Sequence, residues 1–152
     1  MLYLLALLIG IVAGLRAMTA PAAISWAAYL GLLDLSGSWL SFLASPWAVG
    51  ILSVLALVEF VTDQLPSTPS RKVPPQFGAR IFMGAVCGAA IGSASGFWIA
   101  GLVLGVAGAV VGTLGGAAVR QRLAARFGRD LPAALMEDAV AILAALGIVW
   151  SL

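Results

Sequence analysis

Residues 47–61 read WAVGILSVLALVEFV and residues 131–152 read LPAALMEDAVAILAALGIVWSL, two apolar runs of helical length with carboxylates inside them. Glu59 lies in the first run, and the adjacent Glu137 and Asp138 in the second. An ionised side chain within hydrocarbon is costly, so such residues face a partner, a cavity or a pathway. The runs predict an all-α fold, a polytopic transmembrane helix bundle. The acids within them mark where function is to be sought.

Working outward, composition agrees with the runs. Hydrophobic residues make up 62% of the chain and charged residues 9%, values that suit a bilayer better than water. The 152 residues leave room, at about 20 per span, for five or six helices and short loops. Residues 1–152 therefore read as a single transmembrane domain. The net charge is only +2, with basic residues placed between apolar segments, so they read as topology signals and not as a nucleic-acid footprint. Cys87 is the lone cysteine and histidine is absent. No disulfide, metal centre, haem or other cofactor is expected, and proton chemistry would fall to carboxylates. Met1 to Val12 is apolar without a basic flank or a cleavage site, and reads as a retained helix.

Hydropathy and helix breakers predict about six helices, near 2–15, 20–34, 46–65, 77–95, 97–119 with a basic extension to 127, and 132–151. A single long helix kinked at Pro21 is the alternative for the first two. Trp39 and Trp47 suit the headgroup layer. The segment Pro66 to Gln76, PSTPSRKVPPQ, holds four of the seven prolines and joins halves 1–66 and 77–152. Three helices per half is an odd number, so the halves would run in opposite senses as two inverted three-helix repeats, a transporter layout. Arg71, Lys72 and Arg80 flank this central loop, and Arg120, Arg122, Arg126 and Arg129 flank the last one. The positive-inside rule makes both loops cytoplasmic in an inner-membrane, multi-pass protein, with the C-terminus outside.

Glu59 and Asp63 are four residues apart and share a helix face. At 1.5 Å per residue, Glu59 sits roughly 10 Å, and Glu137 and Asp138 roughly 8 Å, from the same end of the bundle. Arg16, Arg80 and Arg120 fall in that layer. In one reading Arg16 and Arg80 pair with Glu59, Glu137 or Asp138 and lock the helices together. In the other, Arg16, Glu59, Asp63, Arg80, Glu137 and Asp138 line a cavity that binds an ion, a proton or a small solute. Three acids in one layer exceed the need of one ion pair.

Gly84, Gly88, Gly92 and Gly96 recur every four residues; Gly101, Gly105, Gly112 and Gly116 keep a four-residue register in the next helix, with Gly108 displaced. Small residues on one face allow close backbone approach, which predicts a tight seam between the fourth and fifth helices. Gly10 and Gly14 repeat the spacing in the first helix, and such faces could also serve a homodimer. Arg120 to Arg129, RQRLAARFGR, is a basic stretch able to attract anionic lipid. Ser67, Thr68, Ser70, Arg71 and Lys72 could contact phosphate, but they lack the glycine-rich setting of a P-loop. No nucleophile accompanies a histidine and no dinucleotide fingerprint follows a strand, so an enzyme is not expected.

The stretches Ala13 to Pro21 (AGLRAMTAP), Val58 to Pro66 (VEFVTDQLP) and Gly115 to Ile142 resemble small bacterial integral-membrane proteins of domain of unknown function family 4126. The matching motif positions are Gly14, Arg16 and Pro21, then Glu59, Asp63 and Pro66. The resemblance implies a small integral-membrane protein and carries over no catalytic residue. The expected function is passage of an ion or small solute through a charged cavity, possible proton coupling included. The alternative is a scaffold or assembly protein whose charges are interhelical locks. Expected partners are membrane lipids and the solute.

Overall fold

A computed structural model describes residues 1–65, 67 and 69–152; the expected helix stop at Pro66 and the phosphate contact at Thr68 lie outside the described residues. The described residues form six α-helices, α1 Leu2–Leu15, α2 Thr19–Tyr29, α3 Pro46–Thr62, α4 Pro74–Ser93, α5 Trp98–Phe127 and α6 Asp130–Trp150, and no strand. A 3-10 turn, Ser41–Ala44, precedes α3.

Local chemistry explains most boundaries. Arg16 adopts extended backbone angles (φ −141°, ψ 113°), which end α1 and rule out one long helix through Pro21. The second helix stops at Tyr29, short of residue 34, and Leu33, Leu35 and Leu40 in the following turns are buried against the bundle. Burial of these leucines accounts for an apolar stretch that is not helical. In the same loop the exposed Asp34 carboxyl is held below its ordinary pKa by hydrogen bonds from the Ser36 hydroxyl and amide. Ser45 caps α3 by accepting from the Ala48 N–H, with Pro46 in the first turn. Pro74 and Pro75, expected in the loop, open α4 for the same reason. Gly128, at φ 67°, ends α5 in the left-handed conformation that glycine adopts without strain.

Helix α5 is the axis of the bundle and packs most extensively on α1 and α4. The contact is backbone on backbone. A Cβ added at Gly84 would fall 2.7 Å from the Gly105 carbonyl oxygen, and one at Gly92 would fall 3.0 Å from the Gly101 Cα. Gly88, Gly101 and Gly105 are equally close-set, as the glycine spacing predicts. Gly108 and Gly112 instead meet α1 at Leu7 and Ile11, and Gly10 and Gly14 meet α5, so α5 presents small residues to two neighbours. These stripes are therefore occupied within the chain. Gly96 leaves the seam and makes the turn between α4 and α5 at φ 76°.

Helices α5 and α6 are each long and apolar enough to cross a membrane; α1 and α3 are apolar but shorter. Large apolar side chains face outward, among them Trp47, Leu57, Val61, Phe82, Val103 and Leu143. Helix α3 is peripheral, burying only Val49 and Ala56 and packing mainly on α2.

Gly105→Leu is expected to destabilise the protein by at least about 1–3 kcal/mol through overpacking. Gly147→Ala, where an added Cβ meets nothing within 4 Å, is expected to be neutral or to stabilise by up to about 1 kcal/mol. Thermal unfolding of the two variants in mild detergent checks this difference.

Candidate functional site

The chain turns from α1 into α2 at Arg16, Ala17 and Met18, and this turn is buried at one end of the bundle. A helix end leaves carbonyls without partners, and the next helix begins with amides in the same condition. Both sets are satisfied by charged side chains. Arg80 donates from one terminal nitrogen to the carbonyls of Gly14 (2.9 Å) and Leu15 (2.7 Å), and Thr113 adds a hydroxyl to Gly14. Glu59 accepts the Ala17 and Met18 N–H groups, each at 2.8 Å, one on each carboxylate oxygen. A cation thus meets the C-terminus of α1 and an anion the N-terminus of α2, the favourable sense for both helix dipoles.

Arg16 itself is 0% exposed. Its two terminal nitrogens donate to different acids, Asp63 at the end of α3 and Asp138 in α6, and its guanidinium lies 5.6 Å from the centre of the Phe60 ring. Gln64 adds a long contact to the second Asp138 oxygen, 3.4 Å. Arg80, 2% exposed, places its other terminal nitrogen 3.9 Å from Glu59 and 3.8 Å from Asp63. Four of the expected site residues, Arg16, Asp63, Arg80 and Glu59, therefore form one contiguous group, which Asp138 joins through Arg16.

Glu137 belongs to an adjoining group. Arg71 grips both its oxygens, and Arg120 reaches one at 3.3 Å while holding Asp130 in a two-pronged pair of 3.0 and 2.6 Å. Arg120 also donates to the Asp63 carbonyl at 3.3 Å, which ties the two groups together. Of the pairings read in the sequence, Arg16 with Asp138 and Arg80 with Glu59 are present; Arg16 also takes Asp63, and Glu137 takes Arg71 and Arg120 in place of Arg16 or Arg80. Arg71 and Asp130 were not among the expected site residues. Their loop and helix-start positions gave no apolar context to single them out.

Beside this layer opens a cavity of about 350 Å³, lined by Asp63, Ser70, Arg71, Arg80, Arg120 and Asp130 among others. Two residues of the ionic layer, the half-buried Asp63 and the buried Arg80, form part of its wall. Among the described residues no group of His, Cys, Asp or Glu has the arrangement of a metal site.

A family model described as Domain of unknown function (DUF4126) matches residues 3–150. The chain belongs to this family. No curated protein and no solved structure matches it. In this DUF4126 chain, Arg16, Glu59 and Asp63 all meet at the α1–α2 turn. Gly14 supplies a carbonyl there and Pro21 follows in the first turns of α2.

Removing one member of a buried ionic group leaves its partners uncompensated, at a cost of about 3–5 kcal/mol. Arg16→Met is expected to destabilise the protein by this amount, and adding Asp63→Asn and Asp138→Asn to recover most of it. Arg129→Gln, at an exposed position, should stay within about 0.5 kcal/mol of the parent. Unfolding midpoints of the three proteins compare these directly.

Proposed function

We propose that this protein is a small polytopic inner-membrane carrier or channel-like protein, in which the buried ionic layer is a gate at the floor of a cytoplasmic vestibule. The observation that carries the reading is the polar cavity whose wall includes Asp63 and Arg80 of that layer. An ion or small solute entering it would meet the layer directly. Buried, functional charges at membrane depth and non-helical backbone shielded by protein both fit a bilayer pathway.

Charge placement supports the orientation. All eight lysine and arginine residues belong to the α1–α2 turn, the start of α4, the central loop or the α5–α6 junction. Those segments gather at one end: Arg71 of the central loop and Arg120 of α5 share Glu137. At the other end Trp39 packs edge-on against Trp98, at 6.0 Å between ring centres, a pair suited to the opposite headgroup layer. Six antiparallel passages then put both termini outside the cytoplasm, although α2, at 11 residues, is a short passage. The inverted three-helix repeat is a compatible layout in which α3 and α6 each contribute acids to the layer.

The second reading, a non-transporting scaffold, is favoured by one feature: the carboxylates of Glu59, Asp63, Glu137 and Asp138 are each already bonded. Proteoliposome flux decides between them. A carrier should move protons, inorganic ions or small organic anions, and Gln121→Trp, which puts a large ring at the vestibule wall, should cut that flux at least about tenfold, about 1.4 kcal/mol on the barrier, with stability unchanged. Absence of flux across a broad panel by folded wild-type protein would support the scaffold. Orientation has its own check: Ser70→Cys should label from the cytoplasmic side and Ser151→Cys from the opposite side.

A further inference from the structure

A second cavity, about 460 Å³, lies between α5 and α6 beside Ile11 and Leu15 of α1, with Arg120 and Glu137 also in its lining. Val111, Gly115, Val119 and Leu123 of α5 form one wall, and Met136 and Val140 of α6 form the other. Val111 to Leu123 spans about 18 Å at the helical rise, slightly more than one leaflet of an approximately 30 Å hydrocarbon core. An added Cβ at Gly115 meets nothing within 4 Å, so the groove is open at this point.

At 100° per residue Arg122 and Arg126 fall on the groove side of α5, with Arg126 between the angular positions of Val119 and Gly115. Arg126 is seven residues beyond Val119, about 10 Å further toward the cytoplasm. Both arginines are exposed, and among the described residues neither forms an ion pair. The carboxylate that lines the groove, Glu137, is already engaged by Arg71 and Arg120. An apolar slot of leaflet depth is therefore topped by two uncommitted guanidinium groups.

We infer that this groove is a binding site for one anionic phospholipid of the inner leaflet: an acyl chain lies between α5 and α6, and Arg122 and Arg126 hold the phosphate. Arginine matches phosphate oxygens in two-pronged geometry, and the slot supplies the apolar half of recognition. The inference rests on the membrane reading above but not on transport. It gives the basic stretch a specific ligand in place of a general attraction to the membrane surface.

Native mass spectrometry of the purified protein in neutral detergent tests it, with phosphatidylglycerol and phosphatidylcholine of identical chains. The expected result is preferential retention of phosphatidylglycerol, by roughly fivefold per arginine. Arg122→Gln with Arg126→Gln should abolish the preference, and Gly115→Leu should weaken both lipids by filling the slot. Since both arginines are exposed, the double variant should fold even if the glycine variant does not. Equal retention of the two lipids, a preference unchanged in the double variant, or glycerol phosphate binding as strongly as the whole lipid would overturn the site. Solute flux without lipid preference defeats this inference alone, and lipid preference without flux defeats the carrier reading alone.

Discussion

A guanidinium removed from water must be met by anions, and that demand at Arg16 sets the geometry of one end of the molecule. Its side chain is fully buried and held by Asp63, just beyond α3, and Asp138, in α6. Three parts of the chain distant in sequence are thereby brought to one point. The penalty for transferring a charge out of water is several kcal/mol even after relaxation, so no arrangement that leaves Arg16 unpaired competes with this one. The neighbouring backbone is drawn in with it. Arg80 and Glu59 complete the hydrogen bonding of the turn that Arg16 begins, and without them its buried carbonyls and amides would themselves be destabilising.

Away from that end the constraint is different. There the helices approach until backbone meets backbone, and dispersion between close-set atoms holds them together. Glycine makes this possible, and α5 uses it toward two partners at once, Gly101 and Gly105 toward α4 and Gly108 and Gly112 toward α1. The result is polarised: a close-set apolar body and an ionic end bearing the cations. Helix α3 takes little part in the glycine packing and joins the body through α2, the 3-10 turn and the charges at its C-terminal end. Its attachment is thus more electrostatic than that of the other helices.

The helical class and the approximate elements were legible because hydropathy and proline positions act locally. The glycine seam was legible for a related reason, since a four-residue spacing fixes one face whatever the surroundings. Pairings were not. That Glu59, Asp63 and Arg16 share a layer follows from helix depth, but which arginine takes which acid depends on azimuth and crossing angle, which no spacing reveals. Glu59 illustrates the difference: in sequence it is an ion-pair candidate, whereas in the structure its two oxygens are committed first to the amides of α2. Arg71 is the converse, read in the sequence as a loop charge and a phosphate contact, yet in the structure the principal partner of Glu137.

Locks and gates use the same chemistry, and what separates them is whether a bond has an alternative nearby. Glu137 has little reason to exchange, since Arg71 and Arg120 both hold it. Asp63 is differently placed. The oxygen that accepts from Arg16 also lies 3.8 Å from a terminal nitrogen of Arg80, within ion-pair range but outside hydrogen-bonding distance. Two buried arginines thus flank one carboxylate at the cavity wall. Handing Asp63 from Arg16 to Arg80 would need a movement of about an ångström and would exchange one charge-assisted bond for another, so most of the cost of breaking the first would be offset. Such a transfer would loosen the end of α3, the least embedded helix, and change the charge that the cavity wall presents. Charges with a single well-made partner stabilise one arrangement; Asp63, with a second partner at hand, is where this layer could have two.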